Sequence, residues 1–262
     1  MNIPQGSVFG LLGPNGAGKT TTIRMILNII IPDSGKIQFM GGLNASQMRQ
    51  KIAYLPEERG LYQKSKVSEV LNFFGGLKGL RKPILSNQIS YWLARLNISQ
   101  YSERTIFELS KGNQQKVQFA ATVLSDPQLL ILDEPFTGLD PINQRLLKEI
   151  IKELQEKGCS IILSTHQMEQ VEQLCSHISL LNLGKQVLYG PLKDIKNQYG
   201  QKRIQIRFNN GPEIFPETLL KEQTYRQGEL QGLLPDDIKS SEFIRTISNH
   251  YELESFSQYQ PS

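Results

Sequence analysis

The residues Gly13-Pro14-Asn15-Gly16-Ala17-Gly18-Lys19-Thr20 have the spacing G-x-x-x-x-G-K-[ST]. They follow the apolar run Ser7–Leu12 and precede a stretch in which Ile23, Ile26, Leu27 and Ile30 share one helical face. In a strand–loop–helix setting that spacing means phosphate binding. The glycines let the backbone turn so that successive N–H groups converge on one anion, and the helix adds the positive end of its dipole. Gly13, Pro14, Asn15, Gly16, Ala17 and Gly18 then form the cradle with Lys19, Thr20 and Thr21. Lys19 is expected to reach the β- and γ-phosphates as a catalytic group, and the Thr20 hydroxyl to ligate Mg²⁺. A second cluster is Asp133-Glu134, directly after Leu129–Leu132. Four consecutive apolar residues read as a strand buried on both faces, and open α/β sheets place ligands at the carboxyl ends of such strands. Behind a phosphate loop, Asp133 is the expected Mg²⁺ acid. A third buried run, Ser160–Ser164, ends in Thr165-His166.

The elements that must position these groups are legible in the pattern. Ser7–Leu12, Ile52–Leu55, Leu129–Leu132, Ser160–Ser164, Ile178–Leu183 and Gln186–Tyr189 read as strands, and Lys36–Met40 alternates like another. From Val67 to Leu96 the pattern is helical, with Ser86 a candidate cap and Trp92 a core residue. A helix is expected to begin within Leu109–Lys116 and to run through Val117, Ala120, Ala121 and Leu124. Asp140 caps the clearest helix, Pro141 takes its first position and Gly158 follows its end. From about Gln201 the character changes: Arg203–Phe208 alternates strictly, a strand-like piece spans Thr224–Leu234, and a helix spans Pro235–Ser248. The fold class is α/β with a mostly parallel core sheet and a small C-terminal α+β appendage.

Composition sets the outer limits. A chain of 262 residues, 39% hydrophobic, has room for one large α/β domain and a small appendage. Nothing approaches the roughly 18 uninterrupted apolar residues of a membrane span, and no signal-peptide pattern opens the chain. Cys159 and Cys175 lack metal spacing and read as buried or free thiols of a reducing compartment. The formal charge of +4 is mild: it permits contact with an anionic membrane surface or nucleic acid but argues for neither, and no nucleic-acid partner is expected. Lys64, Lys66, Lys78, Arg81 and Lys82 make the region after Ile52–Leu55 basic, read as a solvated face, with a partner surface as the alternative.

In that order, GPNGAGKT, LSKGNQQK, LLILDEP, TGLDP and STH resemble the ATP-binding cassette of ABC transporters over residues 1–198. YLPEERGLY and the appendage resemble the sodium-efflux-type bacterial exporters within that family. The resemblance implies a P-loop NTPase with an inserted helical subdomain at about 60–125 and an accessory domain at 199–262. It implies ATP and Mg²⁺ as ligands, with Asp133 holding the metal through water and Glu134 as general base. His166 resembles the switch histidine at the γ-phosphate, and Glu57 stands where the family usually has the Q-loop glutamine, near the metal. Ser110 and Gly112 resemble signature residues that touch ATP held by the other subunit, and Asp140 the loop that crosses that interface. Implied partners are a second cassette, identical or paralogous, and a separate membrane-spanning permease contacted by the region around 60–100. The implied location is peripheral, on the cytoplasmic face of the plasma (inner) membrane. The alternatives are an ABC ATPase acting on ribosomes or DNA, and a nucleotide-binding regulator without hydrolysis.

Three departures from the family pattern stand out. The signature reads LSKGN, with Lys111 in place of a glycine and Asn113 a shortened amide. Glu57 puts a carboxylate where an amide is usual; ionised, it accepts but cannot donate. Only Met1–Gly6 precede the first strand, where the family carries two strands and an adenine-stacking aromatic. Those N-terminal strands are expected to be missing, with ATP affinity lower by about 1–3 kcal/mol for a lost base stack.

Overall fold

The buried apolar runs become the strands of one sheet. The computed structural model describes residues 1–58, 60–199, 203–209, 211, 219–235 and 238–259. In chain order the first compact unit, Met1–Leu192, holds β1 (Val8–Leu12), α1 (Lys19–Ile26), α2 (Ala45–Met48) and β2 (Ile52–Leu55). α3 (Val67–Leu77), α4 (Ile84–Arg95), α5 (Lys111–Val123) and β3 (Leu129–Asp133) follow, then α6 (Pro141–Glu156), β4 (Ser160–Thr165), α7 (Met168–Leu174), β5 (His177–Asn182) and β6 (Lys185–Pro191). The sheet order is β2-β3-β4-β1-β5-β6, parallel except for the β5–β6 hairpin. β1, β3 and β4 are buried along their whole length, as continuous apolar runs in a covered parallel sheet must be. Leu11, Ile23, Ile26, Ile131 and Ile162 knit the sheet to α1 in the main core.

Register decides what meets at the carboxyl edge. Leu12 lies opposite Thr165, and Asp133 opposite Ser164. The loop leaving β1, the acids ending β3 and the histidine after β4 therefore emerge together.

α3, α4 and α5 form the helical region. Trp92 is buried there, edge-on to Phe119 with ring centroids 6.3 Å apart, as a core residue. The helical pattern over Val67–Leu96 resolves into two helices. Gly79, at φ +79°, ends the first, and Leu80 N–H closes its last turn on the Gly75 carbonyl at 3.1 Å. Ser86 is not the cap: α4 starts at Ile84 with Pro83 before it, so Ser86 falls in the first turn. Ser110 and Asp140 do cap α5 and α6, accepting the backbone N–H of Asn113 and Asn143 at 3.3 and 2.9 Å. Lys78 is not on a solvated face; it is half-buried and its Nζ donates to the Ile52 carbonyl at 2.7 Å.

Lys36–Met40 is not a strand. Phe39 N–H bonds the Leu43 carbonyl at 2.8 Å across a turn through Gly41 and Gly42, both at positive φ. Alternation alone makes no strand without a neighbour, and among the described residues none lies beside this run.

The second compact unit, Lys193–Ser262, contains nearly all of α8 (Leu192–Tyr199), then β7 (Arg203–Phe208), β8 (Lys221–Arg226), β9 (Glu229–Leu233), α9 (Ser240–Ser248) and β10 (Leu253–Tyr259). Its antiparallel sheet runs β10-β7-β9-β8. Ile204, Ile206 and Phe208 point to one side with Phe243 and Ile247 of α9, so the strict alternation of β7 marks a sheet covered on one face. The piece expected as one strand over Thr224–Leu234 is a hairpin turning at Gln227-Gly228, both at positive φ. The helix begins at Ser240 rather than Pro235; residues 236 and 237 of the expected span lie outside the described residues.

Candidate functional site

Gly13 leaves β1 at φ +150°, and a Cβ there would stand 2.4 Å from the Leu181 carbonyl oxygen and 2.9 Å from Ala17 Cβ. Backbone on one side and a core side chain on the other leave room only for glycine. Pro14, Asn15 and Gly16 form the exposed tip of the loop. It turns back where Ala17 N–H bonds the Pro14 carbonyl at 3.1 Å, and Gly18 enters α1 at φ +101°. α1 has no side-chain cap and no acid in its first turn. Among the described residues no side chain caps its opening amides, at Lys19, Thr20 and Thr21, which is the arrangement a bound phosphate completes. Lys19 is buried and bends back over the loop, donating from Nζ to the carbonyls of Gly13 at 2.6 Å and Pro14 at 3.2 Å.

Asp133 is buried beside this loop. The Thr20 hydroxyl donates to its Oδ2 over 3.4 Å, and the Tyr54 hydroxyl over 3.5 Å. Burial first, then the adjacent Asp133 carboxylate, pushes the Tyr54 phenol up to about 12, so it stays a donor. The pair of Thr20 and Asp133 suits Mg²⁺. Both offer hard oxygens, and among the described residues no cluster of three acids or histidines builds an all-protein cage. Mg²⁺ at nucleotide sites is held by one or two protein oxygens together with phosphates and water.

Glu134 follows at φ +46°, a left-handed conformation uncommon for a non-glycine residue, with its N–H on the Ser164 carbonyl at 2.9 Å. This turns its buried carboxylate back toward the end of β4. Oε1 accepts the His166 backbone N–H at 3.0 Å and lies 2.6 Å from His166 Nδ1. The Thr165 hydroxyl, with one hydrogen to give, lies 3.2 Å from Glu134 Oε2 and 3.3 Å from Gln170 Oε1. A carboxylate at Nδ1 puts the ring hydrogen there and leaves Nε2 free, on a side chain 54% exposed.

The structure gathers Lys19, Thr20, Asp133, Glu134 and His166 at one edge of the sheet. It does not bring the other candidates to them. Among the described residues, no hydrogen bond or ion pair joins Glu57, Ser110, Gly112 or Asp140 to Gly13–Thr20. Glu57 is exposed on the loop after β2. Gly112 faces the turn before α6, where a Cβ would lie 3.5 Å from the Gly138 carbonyl oxygen. Asp140 is committed to its helix, and the Asn143 N–H and side chain hold its carboxyl below the usual range.

Sequence reasoning missed Tyr54, Thr165, Gln170 and two glutamines of α5. Gln115 Nε2 donates to the Pro135 carbonyl at 3.2 Å, and Gln118 Nε2 to the Glu58 and Pro56 carbonyls at 3.2 and 3.5 Å. The available signal was polar residues among the apolar positions of α5 and β2; their partners follow only from the packing.

Comparison with known proteins agrees with this geometry. The family model described as ABC transporter matches residues 1–137. The ABC transporter ATP-binding protein YhaQ of Bacillus subtilis is 50% identical over 206 residues, 79% of this chain and 69% of the relative. Nod factor export ATP-binding protein I of Cupriavidus metallidurans is 35% identical over 237 residues, 87% of this chain and 77% of that protein. Among solved structures, cbiO1 from Clostridium perfringens, described as part of the ABC transporter complex cbiONQ, superposes with a TM-score of 0.67 at 27% identity, covering 76% of this chain and 82% of that one. With the phosphate loop, the acids and the histidine converging as they do, the chain belongs to the ABC transporter family, as an ATP-binding subunit that hydrolyses ATP to drive transport.

Proposed function

We propose that this subunit powers an exporter whose membrane-spanning part is a separate chain, and that two cassettes close head-to-tail over two ATP molecules. The observation that carries the hydrolytic half is Glu134, a buried carboxylate aimed by backbone and side chain at the edge where the phosphate loop opens. In this reading Lys19 and the first amides of α1 hold the β- and γ-phosphates. Glu134 orients a water and takes its proton as that water attacks the γ-phosphorus and the bond to the bridging oxygen of ADP breaks. His166 holds Glu134 through Nδ1–H, and would donate to a γ-phosphate oxygen from Nε2 when that nitrogen carries a hydrogen as well. Thr20 and Asp133 would hold Mg²⁺, with Glu57 as a further candidate; bound there, the ion would supply positive charge against the phosphates.

The paired arrangement is supported by Ser110, Gly112 and Asp140, which lie apart from the chain's own phosphate loop. Closure across two chains would make hydrolysis depend on assembly. Export is supported by the likeness to a Nod factor export protein, and a separate permease by the likeness to a subunit of a multi-part complex. Among the described residues no helix is long and apolar enough to cross a membrane. We place the catalytic domain at 1–198, peripheral on the cytoplasmic face, with 199–262 as an accessory domain.

The docking surface we assign is a groove of about 850 Å³ between the sheet and the helical region, lined by Leu27, Tyr54, Leu61, Phe74, Lys78 and Gln118 among others. Its rim exposes Ile29 and Leu77, apolar side chains that a partner would cover. Purification from gently solubilised membranes tests this reading. Recovery of an integral membrane protein is expected; recovery with ribosomes or DNA instead would overturn it.

A further inference from the structure

Gln118 sits two turns into α5, only 5% exposed. Its Nε2 donates to the carbonyls of Pro56 and Glu58, the residues on either side of Glu57. Two carbonyls at one end fix the orientation of the amide, because a flip would set oxygen against oxygen. Oε1 is therefore held as an acceptor, and among the described residues it is buried without a partner in the wall of the groove described above. A buried carbonyl oxygen lacking a donor is a standing cost that an incoming donor relieves. The groove's own chemistry narrows the donor. Among the described residues its lining carries Arg49 and Lys78 and no acid, and Lys78 already has its pKa lowered by burial and by Arg49. A further cation is disfavoured there; a neutral hydroxyl or amide is not.

We propose that Gln118 is a positioning residue through which the groove's occupant acts on the site. An amphipathic segment of the membrane subunit lays apolar side chains on Leu61 and Phe74 and gives one neutral N–H or O–H donor to Gln118 Oε1. The same amide holds the Glu57 loop through Nε2. Because Gln118 lies on the helix that Ser110 opens, one side chain links the docked partner to both the Glu57 loop and the signature residues. This rests on the reading of the groove as the permease dock.

The test uses the complex purified with its membrane partner, wild type beside Gln118→Met, which keeps length and burial but has neither donor nor carbonyl acceptor. The partner-stimulated kcat is expected to fall about tenfold, the effect of losing one or two buried hydrogen bonds, with the KM for ATP within about twofold. Hydrogen exchange at the Glu57 and Glu58 amides is expected to quicken. If Gln118→Met does not fold, Gln118→Glu, which sets a carboxylate against two carbonyls, is read the same way. Unchanged stimulation and exchange in a variant that still co-purifies with the partner overturns the role of Gln118 and leaves the dock standing. Failure of the wild type to bring down a membrane protein overturns both.

Discussion

His166 Nδ1 lies 2.6 Å from Glu134 Oε1, and the backbone N–H of the same histidine reaches the same oxygen at 3.0 Å. One residue thus grips the carboxylate twice, while Thr165 stands by the other oxygen at 3.2 Å. The grip follows from the fold: β4 ends opposite β3, so the residues leaving the two strands meet. Truncating the imidazole removes the side-chain half and spares the backbone half. His166→Ala is expected to lower steady-state ATPase by roughly 10²–10³-fold, in line with losing one preorganised polar group. ATP affinity, held by the phosphate loop, is expected to change only a few-fold. Turnover and nucleotide titration on the same preparation check both numbers.

The phosphate loop offers a contrast between two glycines. Gly13→Ala forces a Cβ to 2.4 Å from a carbonyl oxygen at φ +150°, whereas Gly16→Ala enters open space at φ +78°. Unfavourable backbone conformation alone costs about 1–3 kcal/mol. Gly16→Ala is expected to show that cost and no more, while Gly13→Ala is expected to melt clearly lower and to lose ATP binding. Thermal melts with and without nucleotide decide it; equal behaviour of the two variants would contradict the packing around Gly13.

The two cysteines report on the core. Burial pushes the Cys159 thiol up to about 11 and the Cys175 thiol to about 12, from an ordinary 9.0. Above about pH 9 the unfolded chain then holds fewer protons than the native one, so these thiols make stability fall as pH rises toward their folded values. Thiol labelling at about pH 8 is expected to be slow and to follow unfolding, with both cysteines reacting together, and melting at about pH 10 is expected to be lower than at 8. A fast native labelling phase would contradict the burial.

The legible parts of the sequence are those in which one residue type has one physical use. The glycines of the phosphate loop, the apolar strands, and Asp140 and Pro141 at a helix start needed no tertiary information. Lys36–Met40 misled because alternation is a property of one chain and a strand a property of two. Ser86 misled as a cap because the second helix of Val67–Leu96 starts two residues earlier, at Ile84 after Pro83, once Gly79 at φ +79° has ended the first. Tyr54 and Gln118 could not be found from spacing. Tyr54 meets Asp133 through the pairing of β2 with β3, and Gln118 meets the Glu57 loop through the packing of α5 on the end of β2.

The sharpest test of the account is Glu134→Gln, which preserves shape and donors' partners in part but removes the basic carboxylate. Steady-state phosphate release and ATP-dependent dimerisation are measured on the same protein. ATPase is expected to fall by at least about 10²-fold with the ATP-bound dimer intact. Undiminished phosphate release would rule out Glu134 as the base, and loss of the dimer with ATP still bound would contradict the closing, two-chain site.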